Sequence, residues 1–304
     1  MRSFLRGDIP GGREVVAEVR RVVEQAKAGD ILQPGGAVGQ PCVVVAQDDM
    51  RPLRRVPREG TFYRTRTVEK IAEVLDYCHE HRAIGCCTAD FGVGKTEAIK
   101  DWRRRTAHSI QSLVFEFDSF TGHDKVEFTR ALALVLGLEA GRGSHKGAAI
   151  FRAVCERLRE APVLIIFDQV EAVRPRVLQI IRELHDRTKD AGVGIVMLAA
   201  PILLSRLTRS CMADLGALTS RISIWAPLAG ITRTEMASIV KAEGVGNVDE
   251  AAFDLWYTAT GGSMRRLMRS LDLLKSKHSG RRVTERTVIG VAGHLFGMNL
   301  GEAA

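Results

Sequence analysis

The sequence contains no long apolar run, and this absence excludes one class of protein at once. No stretch approaches the ~20 consecutive apolar residues that a membrane-spanning helix needs. The first residues, MRSFLRGDIPGG, also lack the apolar segment of a secretory signal. We therefore expect a soluble, cytoplasmic protein with no membrane partner.

Cysteine is scarce and poorly spaced for a metal site or a disulfide framework. The 304 residues include six cysteines, and none forms a C-x-x-C pair or a cluster with histidine at metal-ligand spacing. This pattern argues against structural zinc and against a disulfide-stapled secreted domain, and it fits a reducing compartment. No internal repeat is visible either.

Basic residues outnumber acidic residues, and the resulting formal net charge of +8 is unevenly distributed along the chain. Residues 51–66 carry six arginines against one acid, and residues 264–286 carry eight cations against two acids, a net of +6. Clustered cations favour a polyanion because each neutralised phosphate releases counterions. A solvated basic surface remains the alternative for either cluster alone. The predicted DNA-binding residues are Arg51, Arg54, Arg55, Arg58, Arg266, Arg269, Lys275 and Lys277.

The chain begins with a segment, residues 1–60, that offers little material for a core. An amphipathic helix is predicted over residues 13–28 and a short strand over residues 42–46, within sequence rich in Gly, Pro and Arg. We expect this segment to be a small helical element followed by a basic linker.

Beyond this segment the pattern changes to alternating helices and short apolar strands. Five apolar strands separated by helices predict, for residues 61–228, an α/β core with a mostly parallel sheet covered on both faces. In residues 229–304 the strands stop, and four amphipathic helices predict a small helical subdomain.

The segment CCTADFGVGKTEAIK predicts a phosphate-binding loop between a strand and a helix that begins at Lys95. Glycines let backbone N–H groups turn inward on a phosphate chain, the lysine reaches the terminal phosphates, and the threonine hydroxyl binds Mg²⁺. The pattern G-x-x-x-x-G-K-[ST] is met except at its first glycine, and we favour phosphate binding over an ordinary turn. The predicted nucleotide-binding residues here are Ala89, Asp90, Phe91, Gly92, Val93, Gly94, Lys95, Thr96 and Glu97.

A second apolar segment, PVLIIFDQVE, ends in an acid and predicts a magnesium ligand. Asp168 closes a strand that we expect to lie beside the loop, and P-loop NTPases hold Mg²⁺ with such a carboxylate. The other interpretation is a turn aspartate at a strand end. With the loop upstream, we favour Mg²⁺ bound by Thr96 and, through water, by Asp168.

The residue after Asp168 differs from what rapid ATP hydrolysis needs. P-loop ATPases use a glutamate there to orient or deprotonate the attacking water, and this chain has Gln169. A neutral amide positions water but is a poor base, so we expect slow hydrolysis unless Glu171 substitutes. We also expect the change Gln169→Glu to raise the rate.

Two arginines are candidates for contacts with the terminal phosphate. Arg221 precedes the last predicted strand, where it could reach a neighbouring subunit's nucleotide. Arg265 begins a helix of the small subdomain and could close onto the phosphate within the same chain. A surface position remains an equal interpretation for each.

In order and spacing, these motifs resemble the AAA+ ATPases that regulate DNA transposition, the phage Mu B and TniB-like family. The resemblance covers about residues 61 to 275 and includes the segments VLIIFDQVE, LTSRISI and TGGSMRRLMRSL. It implies a P-loop AAA+ core with a mostly parallel sheet flanked by helices, plus a small helical lid subdomain. It also implies roles for Asp168 as the Walker B carboxylate, Arg221 as an arginine finger and Arg265 as the sensor-2 arginine.

The resemblance implies a function as well. It implies ATP and Mg²⁺ as cofactors, double-stranded DNA and a transposase as partners, and self-assembly into a filament or ring. The setting would be the cytoplasm of a bacterial or phage-infected cell. The opening SFLRGDIPGGREVVAEVRRVVEQA resembles the end of the N-terminal helix-turn-helix of these proteins, so we expect a remnant of that domain in residues 1–60.

Three departures from the family pattern change the expected chemistry. Ala89 replaces the first loop glycine, Gln169 replaces the catalytic glutamate, and residues 198–201 offer no polar side chain after the fourth strand. The last two affect the water-activating side, whereas the phosphate-binding side is retained. We expect a protein that holds ATP better than it cleaves it.

Two other function classes stay open from the sequence. One is a nucleotide-switched signalling or scaffold P-loop NTPase that does not bind DNA. The other is a nucleic-acid motor, which needs rapid turnover. Gln169 argues against the motor, and the two basic clusters argue against the scaffold.

Overall fold

The structure is a computed structural model, and it describes residues 62–138, 147–209, 213–278 and 280–298. The helix predicted over residues 13–28, the strand over 42–46 and the arginines of 51–58 lie outside the described residues.

Five strands of the described chain form one parallel sheet. Its order is β2-β3-β4-β1-β5, and all pairings are parallel. Three of the strands, β1, β3 and β4, are buried along their whole length, which explains their unbroken apolar sequences. The strands, numbered from β1 to β5 in chain order, are Ile84–Thr88, Ser112–Glu116, Leu164–Asp168, Gly194–Ala199 and Ile222–Pro227.

The sheet order separates the two strands of the site. The strand that ends at Asp168, β3, is divided from the loop strand, β1, by β4. Sequence order alone does not reveal which strands become neighbours, because each crossover connection can place the next strand on either side. The carboxyl ends of parallel strands nevertheless share one edge of the sheet, here called the carboxyl edge, so Asp168 still faces the loop.

Helices cover both faces of the sheet and fix it through two separate apolar cores. One core joins α1 and α2 to one face, and the other joins α3 to α7 to the opposite face. The predicted layered α/β architecture is confirmed. The helices, numbered α1 to α7, are Arg66–Glu80, Lys95–Thr106, Lys125–Val135, Gly147–Glu160, Pro175–Thr188, Ile202–Arg209 and Ala213–Thr219.

The helix that follows the Gly loop, α2, is held in place by a buried tryptophan that contacts α1. Trp102 on α2 is fully buried, and its indole N–H donates to Asp76 Oδ1 on α1 at 2.7 Å. A buried Trp also contributes a large apolar area, and its replacement by Ala typically costs about 3–5 kcal/mol. This anchor fixes the direction in which α2 presents its first turn to the carboxyl edge.

Four further helices pack around a core of their own. Their apolar faces meet at Trp256, whose indole N–H donates to Ser270 Oγ at 2.7 Å. A capping box formed by Thr232 and Glu235 starts the first of them. The predicted small helical subdomain is therefore present. Its helices, α8 to α11, are Arg233–Ala242, Glu250–Thr260, Met264–Lys277 and Glu285–Phe296.

The helical subdomain is tied to the sheet domain by hydrogen bonds near the start of α1. The backbone N–H of Arg66 donates to Glu235 Oε1 at 2.7 Å, and Thr67 Oγ1 donates to the Ala229 carbonyl at 2.6 Å. These bonds tie α8 and the segment before it to the start of α1. Within the described ranges, no helix combines the length and the apolarity that crossing a membrane requires.

Candidate nucleotide-binding site

The loop between β1 and α2 presents backbone donors to open space. Gly92 and Gly94 have φ of 82° and 104°, a region that residues with a Cβ rarely adopt. Along the described chain, the N–H groups of Gly92, Val93 and Gly94 find no acceptor. A Cβ on Gly94 would meet nothing within 4 Å. Unpaired N–H groups at a helix N-terminus fit a phosphate chain.

Ala89, the departure from the loop pattern, does not disturb this arrangement. Its side chain is fully buried at the end of β1, and its N–H donates to the Ala199 carbonyl at 3.0 Å. The two positions with positive φ keep their glycines. The replacement of the first glycine by Ala89 therefore affects local packing and leaves the conformation of the loop unchanged.

Lys95 is folded back onto the loop that precedes it. Its Nζ donates to the carbonyls of Ala89 at 2.7 Å and Asp90 at 3.1 Å, and it lies 5.6 Å from the centre of the Phe91 ring. Burial lowers the pKa of the Lys95 ammonium, although Glu171 opposes that shift. A phosphate oxygen is a stronger acceptor for an ammonium than a carbonyl, so this lysine suits a phosphate ligand.

Two oxygen ligands for a cation meet beside Lys95. Thr96 Oγ1 donates to Asp168 Oδ2 at 3.3 Å, bringing the first turn of α2 to the end of β3. Burial raises the pKa of the Asp168 carboxyl above its usual value of 3.8. A nearby divalent cation would favour the ionised form, and Mg²⁺ prefers hydroxyl and carboxylate oxygens. The residues present therefore fit an Mg²⁺ ion.

Gln169 adopts an unusual backbone conformation directly after Asp168. Its φ of 60° and ψ of 36° are left-handed, and its N–H donates to Asp168 Oδ1 at 2.9 Å. The side-chain Nε2 donates to Oε1 of Glu116, the last residue of β2. Glu116 was not among the predicted site residues, because nothing in the sequence shows that β2 lies beside β3.

Glu171, the predicted substitute base, is engaged elsewhere. Its Oε2 accepts the N–H of Ala200 at 3.1 Å, directly after β4. Arg206 donates to the carbonyls of Glu171 and Val173 and so braces the same turn. The position after β4 that lacks a polar side chain is thus linked to the site through Glu171.

The start of α10 closes the site from above. The N–H of Arg265 donates to the Gly92 carbonyl at 3.0 Å, and Ser263 Oγ lies 3.5 Å from the Phe91 carbonyl. A cavity of about 480 Å³ results. It brings together predicted residues from three segments, and its lining is Phe91, Gly92, Gly94, Lys95, Thr96, Glu97, Asp168, Gln169, Glu171, Met264, Arg265 and Met268.

Comparison with known proteins places this geometry in a family. The AAA domain family matches residues 78–207, from the end of α1 to α6. The chain is 24% identical over 236 residues to the ATP-dependent target DNA activator B of Escherichia phage Mu, covering 77% of this chain and 73% of that protein. The chain therefore contains an AAA domain and is a relative of phage Mu B.

Further similarities agree with this family. The chain is 22% identical over 213 residues to the Mu-like prophage FluMu DNA transposition protein B of Haemophilus influenzae, covering 69% of this chain and 71% of that protein. The crystal structure of Cdc6p from Pyrobaculum aerophilum matches with a TM-score of 0.53 at 14% identity, over 78% of this chain and 66% of that one. The Aeropyrum pernix ORC2 protein matches with a TM-score of 0.53 at 15% identity, over 82% and 70%. The structural matches establish the fold.

An apolar chamber of about 340 Å³ adjoins the first cavity beside the Gly loop. It shares Gly94, Glu97, Met264 and Met268 with the first cavity. Its apolar walls suit a flat aromatic base better than a charged group. The sequence analysis missed this chamber because its walls come from three distant segments. The further lining residues are Phe62, Tyr63, Thr65, Val68 and Val93.

Arg221 does not join the cavity. It precedes β5, so it lies at the amino ends of the parallel strands, opposite the carboxyl edge. Its Nε donates to Asp186 Oδ1 on α5 at 2.6 Å, and the pair is partly exposed. A role for Arg221 at the nucleotide therefore requires a neighbouring subunit.

The predicted DNA-binding residues on α10 divide into cations that contact a partner side chain and cations that have no acidic partner among the described residues. Lys275 forms an ion pair with Glu243, and Arg266 lies 5.4 Å from the centre of the Phe296 ring. Arg269 and Lys277 are exposed and pair with no acid among the residues that the structure describes. The exposed pair is the part of this cluster most available to a polyanion.

Proposed function

We propose that this AAA+ protein binds ATP with Mg²⁺ and assembles on double-stranded DNA, where it regulates transposition by selecting the target and activating a transposase. The observation that carries the proposal is the cavity in which Lys95, the Thr96–Asp168 pair and Arg265 converge. The names of the relatives, a target DNA activator and a DNA transposition protein, support the biological setting.

Each part of the cavity has a role in this proposal. The loop N–H groups and Lys95 bind the phosphates, and Thr96 binds Mg²⁺ directly while Asp168 does so through water. The apolar chamber accepts the base. Arg265 lies at the start of α10, so a bound terminal phosphate would join the helical subdomain to the sheet domain. In this way the nucleotide would stabilise one arrangement of the two parts.

ATP hydrolysis is slow in this proposal, and a neighbouring subunit completes the site. Gln169 lacks the basicity of a carboxylate, and Glu171 is occupied by the Ala200 N–H. Arg221 contacts a neighbour's nucleotide, which makes ATP a link between subunits of a filament or ring. Assembly then depends more on ATP binding than on cleavage.

Assembly multiplies the contacts with DNA. Each subunit contributes a few cations, such as Arg269 and Lys277, and repetition along DNA gives many phosphate contacts. Phosphate contacts provide affinity without reading bases, so binding is insensitive to sequence. We place this activity in the cytoplasm of a bacterial or phage-infected cell.

A salt titration tests the proposal. Binding to a random DNA duplex is measured by fluorescence anisotropy from low to high salt, with and without ATP and Mg²⁺. We expect tighter binding with ATP and a steep loss of affinity with salt. If nucleotide binds but DNA does not, even at low salt, the protein is a nucleotide-switched scaffold instead.

Two variants distinguish the loss of a specific DNA contact from the mere loss of positive charge in the DNA-binding measurement. The double change Arg269→Ala/Lys277→Ala removes two exposed cations that pair with no acid in the described part of the chain, whereas Arg130→Ala removes one that is paired with Glu127 on α3. We expect the first to weaken DNA binding and reduce the slope of the salt dependence. The second should leave both close to those of the unchanged protein.

A further inference from the structure

The ends of β2 and β3 bring an acid and an amide together at the carboxyl edge. Glu116 and Asp168 are register partners on these parallel strands, each the last residue of its strand. Gln169 follows Asp168, and its Nε2 donates to Glu116 Oε1. The two side chains belong to residues 53 positions apart in the chain.

This contact fixes the orientation of the Gln169 amide. An ionised carboxylate only accepts hydrogen bonds, so the amide nitrogen must face Glu116 and the amide oxygen must point away from it. A charge-assisted bond of this kind is stronger than one between neutral groups. Gln169 also lines the cavity, so its oxygen is the atom of this pair that can accept a bond from water there.

The other carboxyl groups of the site already have partners. Asp168 accepts bonds from Thr96 and from the Gln169 N–H, and Glu171 accepts the Ala200 N–H. Glu116 is exposed and contacts the site through Gln169. The position after Asp168 thus carries an amide, and the carboxylate lies one strand further along the sheet.

We infer that Glu116 is a positioning residue, which orients the Gln169 amide so that its oxygen holds the water that attacks the terminal phosphate. The Glu116–Gln169 pair then replaces the glutamate that is absent after Asp168. This inference rests on the proposed function, because it requires a bound nucleotide. It gives the slow hydrolysis a defined structural source.

The inference changes an expectation drawn from the sequence. The change Gln169→Glu alone would place two carboxylates face to face in the contact that the amide now makes with Glu116, and like charges at that distance repel each other. The gain in hydrolysis expected from that change therefore also requires Glu116→Gln. The double exchange keeps one acid and one amide but reverses their places.

A first experiment needs no nucleotide. Thermal unfolding is compared for Glu116→Gln, Gln169→Glu and the double exchange, with Glu156→Gln on the exposed face of α4 as the control. We expect Gln169→Glu to lower the midpoint by about 2 °C and the double exchange to recover most of that loss. If the two single effects simply add in the double exchange, the side chains do not interact and the inference is wrong.

A second experiment separates this inference from nucleotide binding. Affinity is measured with a fluorescent ATP analogue, and hydrolysis is measured in single turnover with protein in excess over ATP. We expect Glu116→Gln to lower the rate about tenfold through lost water positioning while affinity stays within about twofold. The double exchange should restore the rate or exceed it, and Glu156→Gln should change neither.

The possible failures point to different conclusions. If the unchanged protein does not bind the analogue, the proposed function fails and this inference fails with it. If it binds but does not hydrolyse ATP, or if Glu116→Gln hydrolyses as fast as the unchanged protein, nucleotide binding stands and the role of Glu116 is rejected.

Discussion

The proposed phosphate-binding side of the site and its proposed water-facing side are built in different ways. The first is local, since Gly92, Gly94 and Lys95 come from one turn between β1 and α2. The second is assembled across the sheet from the ends of β2, β3 and β4, at Glu116, Gln169 and Ala200. A local turn depends on its own residues, whereas a site spread over three strands depends on their order. The local side can therefore keep its pattern while the other side is rearranged.

The largest expected effect comes from a change in the loop between β1 and α2, the local side of the site. Lys95→Ala removes the ammonium that we propose binds the phosphates, and we expect nucleotide affinity to fall about a hundredfold, the scale of a lost hydrogen bond to a charged group. Titration with a fluorescent ATP analogue measures this. Lys125→Ala, at the exposed start of α3, is the control and should bind normally. If Lys95→Ala bound the analogue with unchanged affinity, the loop between β1 and α2 would not be the phosphate-binding side of the site.

The two loop glycines give a matched pair of smaller changes. Gly94 has open space where a Cβ would stand, so in Gly94→Ala the methyl group enters the space that a phosphate would need. A Cβ on Gly92 would lie 2.6 Å from Ser263 Oγ, so Gly92→Ala displaces the start of α10. Both substitutions strain a positive φ and should cost about 1–2 kcal/mol of stability.

We expect Gly94→Ala to lower nucleotide affinity about tenfold, because a misplaced group at a phosphate costs roughly one charged hydrogen bond. Gly92→Ala should show the larger fall in thermal midpoint. The same titration and a thermal melt distinguish the two variants. Tight nucleotide binding by Gly94→Ala would contradict the assignment of the loop.

Arg221 tests whether a neighbour completes the water-facing side. Because Arg221 lies away from its own cavity, Arg221→Ala should leave nucleotide affinity within about twofold while weakening ATP-dependent assembly on DNA about fivefold, as for a modest interface contact. Light scattering with DNA and ATP follows the assembly, with Arg130→Ala as the control. Normal assembly by Arg221→Ala would exclude it as the contact between subunits.

The smallest expected effect concerns the stability of the nucleotide-free protein. Burial raises the pKa of Asp168, so its ionised form opposes folding. Asp168→Asn should therefore stabilise the nucleotide-free protein by roughly 1 kcal/mol at neutral pH, while removing the Mg²⁺ dependence of nucleotide binding. Denaturant unfolding and a titration with and without Mg²⁺ measure the two effects.

The sign of the pH dependence follows from the raised pKa. The folded protein binds this proton more readily than the unfolded chain, so stability falls as the pH rises from 3.8 through the raised pKa of Asp168. The advantage of Asp168→Asn is therefore complete above the raised pKa of Asp168 and disappears as the pH falls back through that range. An advantage that is independent of pH would have another cause.

Much of the fold could be predicted because the spacing of apolar residues within each segment of the chain distinguishes helices from strands. The strands alternate with helices as expected, and the predicted start of α2 at Lys95 is confirmed. The short helices α6 and α7 were not predicted, because segments of eight and seven residues hold only about two turns of pattern. The order of the strands was also beyond the sequence, which does not reveal that β4 separates β3 from β1.

The sequence by itself determined the Gly loop, because the glycines and polar side chains of that turn are consecutive residues from Gly92 to Thr96. It also determined that an amide, Gln169, follows the predicted magnesium carboxylate. Only the tertiary structure decided what that amide contacts. Parallel pairing of β2 with β3 places Glu116 beside it, and Glu171 turns to the end of β4. The order of strands in a parallel sheet depends on how the crossover helices pack against it. The pattern of residues within one segment does not encode that packing.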